Sequence, residues 1–179
     1  MSGLNHSLLS SRTVFHGAVF DVVREQWIAG PDCKFKRDIV VHPGAAVIVP
    51  QCADGGLLLV RQYRHAVRDF LLEFPAGTLE KGEDPLTCAK REIVEEVGCQ
   101  AAEWLSLGFF YPTPGLCSEK HHCFLARGLS PAQAASDVDE ILQVQALSVE
   151  EVERAIVEGL LCDAKSVAVF MKARLRKLL

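Results

Sequence analysis

Residues 77–99 read GTLEKGEDPLTCAKREIVEEVGC, and the fold turns on what they form. Asp84-Pro85 opens a helix. Asp is a favoured N-cap because its carboxylate accepts the unpaired N–H groups of the first turn, and Pro at the first helical position forfeits no hydrogen bond. Gly98 closes the helix, since glycine takes the left-handed cap conformation at little cost. Between them, at about 100° per residue, Leu86, Ala89, Ile93 and Val97 make one narrow apolar stripe. Glu92 and Glu96 stand one turn apart at its edge, and Glu95 lies further round. Carboxylates crowded on one turn repel one another unless a cation sits among them. Hard oxygen donors, with no His or Cys in the cluster, suit Mg²⁺ or Mn²⁺. The plain alternative is a solvated helix face on which Arg91 pairs with Glu95, the usual meaning of a charge run. Cys88 lies inside the helix and reads as packing, with no neighbouring cation that would activate its thiol.

Outside this segment the composition narrows the field. A chain of 179 residues can bury one substantial core. Hydrophobic residues at 49% and charged residues at 23% are ordinary for a soluble globular protein. The net charge is −4, and no Lys/Arg cluster occurs before the last few residues, so no nucleic-acid partner is expected. An anionic substrate must then be held by a bound metal and a few placed arginines. The start, MSGLNHSLLSSRTVF, lacks the basic region and apolar core of a signal peptide, and no apolar run reaches membrane-spanning length. The seven cysteines are irregularly spaced and read as reduced thiols. A cytoplasmic protein without membrane partners is expected.

In chain order, β-rich runs surround Val14 and Val22, and Gly30-Pro31-Asp32 is a turn before another strand from Lys34 to Val41. The first 43 residues thus read as a small antiparallel sheet, ahead of a main domain over 44–179. Ala45 to Pro50 is a continuous apolar run, as in a strand buried on both faces. Ala53-Asp54-Gly55-Gly56 predicts a hairpin turn, with Leu57 to Tyr63 as the partner strand. Phe70–Phe74, Trp104–Tyr111, His121–Ala126 and Ile141–Leu147 read as further strands, and Gly128 to Asp139 as a polar loop. Ser148 with Glu151 predicts a capping box for a second helix with Val149, Val152, Ile156 and Leu160 inward. A last helix starts at Asp163 or Ser166, with Val167, Phe170, Met171 and Leu175 as its stripe. Mixed strands with helices on the faces indicate an α/β sandwich.

Gly77, Glu83, Arg91, Glu92, Ile93, Glu95, Glu96 and Gly98 fit the pattern G-x5-E-x7-R-E-U-x-E-E-x-G-U, with U aliphatic and Cys99 at the last place. This resembles the signature of the Nudix hydrolases, and Gly77 and Glu83 tip the balance away from a solvated face. RQYRHAV (61–67), LLEFPAG (71–77) and FYPTPG (110–115), with Pro114 as marker, are similar to the ADP-ribose pyrophosphatase branch. The resemblance implies a Nudix α/β/α sandwich with a mixed sheet, preceded by an N-terminal antiparallel sheet that exchanges between the subunits of a homodimer. It implies Mg²⁺- or Mn²⁺-dependent hydrolysis of ADP-ribose to AMP and ribose 5-phosphate. The alternatives are a broader nucleoside diphosphate sugar pyrophosphatase acting, for example, on GDP-mannose, and a ligand-sensing binding module on the same fold. By the same resemblance Glu92, Glu96 and the Ala76 carbonyl are metal ligands, and Arg37, Arg64, Gly115 and Glu119 bind substrate. Glu140, on a mobile loop, is assigned to catalysis together with Glu96, and Glu95 is the other candidate base. Phe20 and Trp27 are candidates for stacking on adenine. From the residues alone, Glu73 reads as an ion-pair partner for a nearby arginine, and Glu83 as a support for its loop.

Overall fold

A computed structural model of the chain describes residues 6–133 and 143–179. The expected catalytic Glu140 lies outside the described residues. The architecture is built on β4 (Ala45–Pro50), every residue of which is buried. β4 pairs antiparallel with β7 (Ala76–Thr78) and parallel with β9 (His121–Pro131), and β9 pairs antiparallel with β8 (Cys99–Phe110). The four-stranded order is β7-β4-β9-β8, a mixed sheet.

Strand alternation assigns the two faces of β4 to two cores. Ala46 and Ile48 pack with Cys88, Ala89 and Ile93 of α1 (Pro85–Val97). Val47 and Val49 pack on the other side with Phe74, Val152 of α2 (Val149–Val157), and Val169 and Phe170 of α3 (Ala164–Leu175). That side also holds Leu57 and Leu59 from a second sheet, ordered β10-β5-β6: Gln143–Leu147, Leu57–Arg64 and Asp69–Glu73. The expected α/β sandwich is the observed one. The N-terminal sheet is also present as β1 (His6–His16), β2 (Asp21–Ala29) and β3 (Cys33–Val41), paired in that order.

The helix ends follow their local chemistry. Asp84 accepts from the N–H groups of Leu86 and Thr87 at 3.0 and 3.2 Å, and Gly98 caps α1 at φ 70°. Ser148 and Glu151 form the predicted reciprocal box, at 3.1 and 2.7 Å. Asp163, not Ser166, caps α3.

Long-range partners depart from the sequence reading. The turn at Ala53–Gly56 forms, but only Gln51 and Leu57 bridge across it, so β5 is not the partner of β4. Both edges of β4 are already taken by β7 and β9, which sends β5 to β6 and β10. β9 runs on to Pro131 and absorbs the first residues of the expected polar loop. β8 begins at Cys99, directly after the helix cap. In α3 the buried face is Ser166, Val169, Phe170 and Ala173, while Met171 and Leu175 are exposed. The sequence offers two apolar stripes there, and the one with the smaller side chains allows the closer approach to the sheet. Leu160 falls beyond the end of α2 and is exposed; Leu161 is buried in its place.

Candidate active site

Arg91 organises the acidic face of α1. Its guanidinium donates to Glu83 from Nε (3.1 Å) and Nη2 (3.2 Å), and from Nη1 to Glu92 (2.6 Å) and Glu95 (2.9 Å). It also donates to the Thr78 carbonyl at 3.3 Å. Glu83 accepts the Glu80 N–H at 2.9 Å, so it ties its loop to the helix, as expected. The Arg91 hydrogen bonds hold the Glu83 carboxyl below the usual range.

Glu92 and Glu96 are buried and Glu95 is exposed, as the helical spacing predicts. Burial pushes the Glu92 carboxyl up, and the charge and hydrogen bond of Arg91 only partly offset this. Both buried carboxylates meet the segment entering β7. Glu96 Oε2 accepts the Ala76 N–H at 2.9 Å. Glu92 lies so close to Gly77 that a Cβ there would stand 1.7 Å from its carboxyl carbon. Cys88 contacts the Gly77 and Thr78 carbonyls through Sγ, and burial with nearby Glu83 and Glu92 pushes its thiol up to about 12. Contrary to the expectation of no neighbouring cation, Arg91 Nη2 reaches its Sγ at 3.5 Å, but burial outweighs that charge and Cys88 remains a packing residue.

Ala76 and Gly77 form part of the wall of a cavity of about 370 Å³. Arg64, Thr78, Pro112, Glu119, His121 and Lys165 also line it. Arg64 binds Glu73 through Nε (2.8 Å) and Nη2 (2.5 Å), and Lys165 Nζ bonds the same carboxylate. Glu73 therefore has the arginine partner read from the sequence, and a second cation besides. Glu119 Oε1 lies 2.9 Å from His121 Nε2 and 3.6 Å from His42 Nδ1. The His121 hydrogen bond, with the charges of His121, His42 and Lys165, holds the Glu119 carboxyl low.

A second cavity, of about 480 Å³, lies against the other part of the same loop. Trp27, Phe35, Arg37, Ile39 and residues 114–118 line it, Gly115 among them. Arg37 stacks on Phe35 at 4.5 Å. Trp27 thus lines this cavity, whereas Phe20 packs on Phe15. Glu119 and Gly115, and likewise Arg64 and Arg37, fall in two neighbouring cavities divided by residues 112–119.

The NUDIX domain family matches residues 41–166. A Bacillus subtilis protein named ADP-ribose pyrophosphatase is 32% identical over 100% of this chain and 98% of its own. The chain is a Nudix hydrolase. Its relatives include a methanol dehydrogenase activator of Bacillus methanolicus, 37% identical over 80% of this chain and 79% of that one. A GDP-mannose pyrophosphatase of Yersinia enterocolitica is 30% identical over 76% and 75%. A solved structure described as an ADP compounds hydrolase shares the Nudix fold, with a TM-score of 0.86 over 97% of this chain and 95% of that chain at 24% identity.

Among the described residues no group of three or more His, Cys, Asp or Glu side chains is placed to hold a metal ion by itself. The Nudix box nonetheless fits a divalent cation chemically. Its donors are hard oxygens, the buried Glu92 is short of positive charge, and Gly77 leaves room for that carboxylate where any side chain would displace it. The sequence does not mark Phe35 or Lys165, and it offers His121 and Asp163 only as a strand residue and a helix start, not as lining of this site. Asp163-Ala164-Lys165-Ser166 signalled only a helix start.

Proposed function

We propose that this Nudix hydrolase is a Mg²⁺- or Mn²⁺-dependent enzyme that cuts the pyrophosphate of ADP-ribose to AMP and ribose 5-phosphate. The observation that carries this reading is the pair of cavities divided by residues 112–119. One is aromatic, with Trp27 and Phe35, and suits a flat base. The other is polar, carries the cations Arg64 and Lys165 together with Glu119 and Asp163, lies beside the acidic helix, and suits a diphosphate and its sugar.

In this reading Glu92, Glu96 and the Ala76 carbonyl hold the metal. A divalent cation bound there supplies Lewis-acid stabilisation of phosphate charge and a more acidic water. Arg91 keeps Glu92 and Glu95 in place through its Nη1 bonds. Arg64 donates to phosphate oxygens, and Glu119, already oriented by His121, accepts from a ribose hydroxyl. Arg37 and Gly115 border the base and its adjoining phosphate. Glu140 takes the proton of the attacking water, with Glu95 as the other candidate base. Residues 1–43 serve dimerisation, 44–179 form the hydrolase domain, the protein works as a homodimer, and its place is the cytoplasm.

The GDP-mannose relative favours a second reading, a broader nucleoside diphosphate sugar pyrophosphatase. The test is turnover of ADP-ribose, GDP-mannose, other nucleoside diphosphate sugars and nucleoside triphosphates with Mg²⁺, with products identified by mass. ADP-ribose is expected to give the highest kcat/KM, with AMP and ribose 5-phosphate as products. A higher value for GDP-mannose would establish the second reading, and a triphosphate at the top would overturn both.

A further inference from the structure

We propose that Glu73 is a positioning residue that fixes Arg64 and Lys165 as a pair of diphosphate-binding cations, and that Lys165 is itself a substrate contact. The inference rests on the diphosphate reading of the cavity given above.

Glu73 ends β6, three residues before Ala76, and is 1% exposed. It does not line the cavity, whereas both its cationic partners do. Glu73 is thus buried behind its two cations, while Asp163, the second partner of Lys165, lines the cavity beside them. Arg64 meets Glu73 along its Nε–Nη2 edge. A planar guanidinium has five N–H donors, so the neighbouring Nη1–Nη2 edge still offers a fork that matches a phosphate. The Arg64 side chain remains 37% exposed, and among the described residues no acceptor occupies Nη1. Lys165 reaches the same place from the first turn of α3, 92 residues along the chain. Glu73 and Asp163 take two of the three ammonium hydrogens, which leaves one for a ligand.

A purely structural role accounts poorly for this arrangement. Burying an ion cluster adds little stability over apolar packing of the same volume. Lysine is seldom buried, and holding its long side chain in one rotamer costs entropy. Two carboxylates nevertheless pin this one, with only 12% of its side chain exposed, at a cavity wall. Preorganised cations of this kind spare the bound complex the cost of ordering them.

The experiment compares Lys165→Met, Lys165→Arg, Glu73→Gln and the Lys165→Met/Glu73→Gln pair with the wild type. KM and kcat for ADP-ribose, melting temperature, and calorimetric affinity for inorganic pyrophosphate with Mg²⁺ are measured for each. Lys165→Met is expected to weaken pyrophosphate binding and raise KM by about ten- to a hundredfold, the range for a lost charge-assisted hydrogen bond. Its kcat is expected to change less than KM, and Lys165→Arg to restore most of the affinity. Glu73→Gln is expected to raise KM too, with effects in the pair short of additive, because Glu73 acts in part through Lys165 and in part through Arg64. Should Lys165→Met not fold, Lys165→Gln, which can still bond both carboxylates, carries the same expectation. A folded Lys165 variant with wild-type KM and pyrophosphate affinity would overturn the proposal, as would full additivity in the pair. If the wild type turns over no nucleoside diphosphate sugar, the proposed function fails separately. Pyrophosphate binding then decides this inference alone: equal affinity in the wild type and Lys165→Met, or none in the wild type, sinks it.

Discussion

Gly77 is a glycine because of a contact, not because of a backbone angle. Its Cβ, if present, would fall 1.7 Å from both the carboxyl carbon and Oε1 of Glu92. The obstructed group is the end of a flexible side chain, so Gly77→Ala should leave the fold intact and push the Glu92 carboxylate away. The expected result is a melting temperature near that of the wild type, a higher Mg²⁺ requirement, and a kcat lower by about 10²-fold or more, in keeping with weakened Lewis-acid stabilisation. A Gly77→Ala protein with full activity at low Mg²⁺ would show that Glu92 is not a ligand. Glu96→Gln is the companion test, since Glu96 also reaches the Ala76 N–H. It should cut kcat by orders of magnitude even at saturating Mg²⁺, because loss of one charged ligand removes Lewis-acid stabilisation on the order of several kcal/mol, and each ~1.4 kcal/mol is tenfold in rate. Steady-state kinetics across a Mg²⁺ series reads both variants. The carboxylate spacing was legible because helical periodicity is local. That Arg91 binds Glu92 and Glu83 as well as Glu95 was not, because it depends on how the 77–84 loop folds back on the helix.

Helix starts were legible for the same reason: each is set by side chains within three residues of the cap. Strand partners were not, because pairing depends on which edges remain open, as β5 shows by leaving β4 for β6 and β10. The start of α3 combines both kinds of information. Asp163 caps the helix through the Ser166 N–H at 3.0 Å, a local act, while Lys165 beside it reaches Glu73 from the second sheet. Burial pushes the Asp163 carboxyl up, but the Lys165 charge and the Ser166 hydrogen bonds outweigh it and the net direction is down. A carboxyl lowered on folding stabilises the protein above its unfolded pKa, about 3.9 for Asp, and that contribution is lost as pH falls through the folded value. Asn is as good a cap as Asp, so Asp163→Asn should keep the helix and lose the charge. Melting temperature measured from pH 7 down to pH 3 should fall more steeply below about pH 4 in the wild type than in the variant. Parallel profiles would mean that the ion cluster at this helix start contributes nothing to stability.

For the whole molecule, the open matter is what covers the N-terminal sheet. Every residue of β1 is exposed, and Leu8, Leu9, Val14, Phe15, Val19 and Phe20 present large apolar surfaces on or beside it. Three strands with no helix against them bury too little to be stable alone. The sheet is joined to the main body through β3, where Val40 exchanges hydrogen bonds with Leu116 and Ser118 at 2.8 and 2.9 Å. That same junction places Arg37 and Trp27 beside residues 114–118 of their own chain. A partner's main body packed on β1 would cover the apolar side chains and complete the wall of the aromatic cavity. Contiguous exposed apolar surface on a folded protein usually marks such an interface, and a symmetric dimer is the commonest way to close one. Light scattering at micromolar concentration should therefore give a mass near twice 19.6 kDa. Leu9→Asp combined with Phe15→Asp places charges on the uncovered sheet without touching either cavity. This variant should dissociate and lose affinity for ADP-ribose, while the main domain keeps a cooperative melt. A wild-type protein that is monomeric yet fully active would refute the arrangement. A monomeric double variant with unchanged KM would show that the apolar sheet holds the dimer together but that the partner contributes nothing to substrate binding.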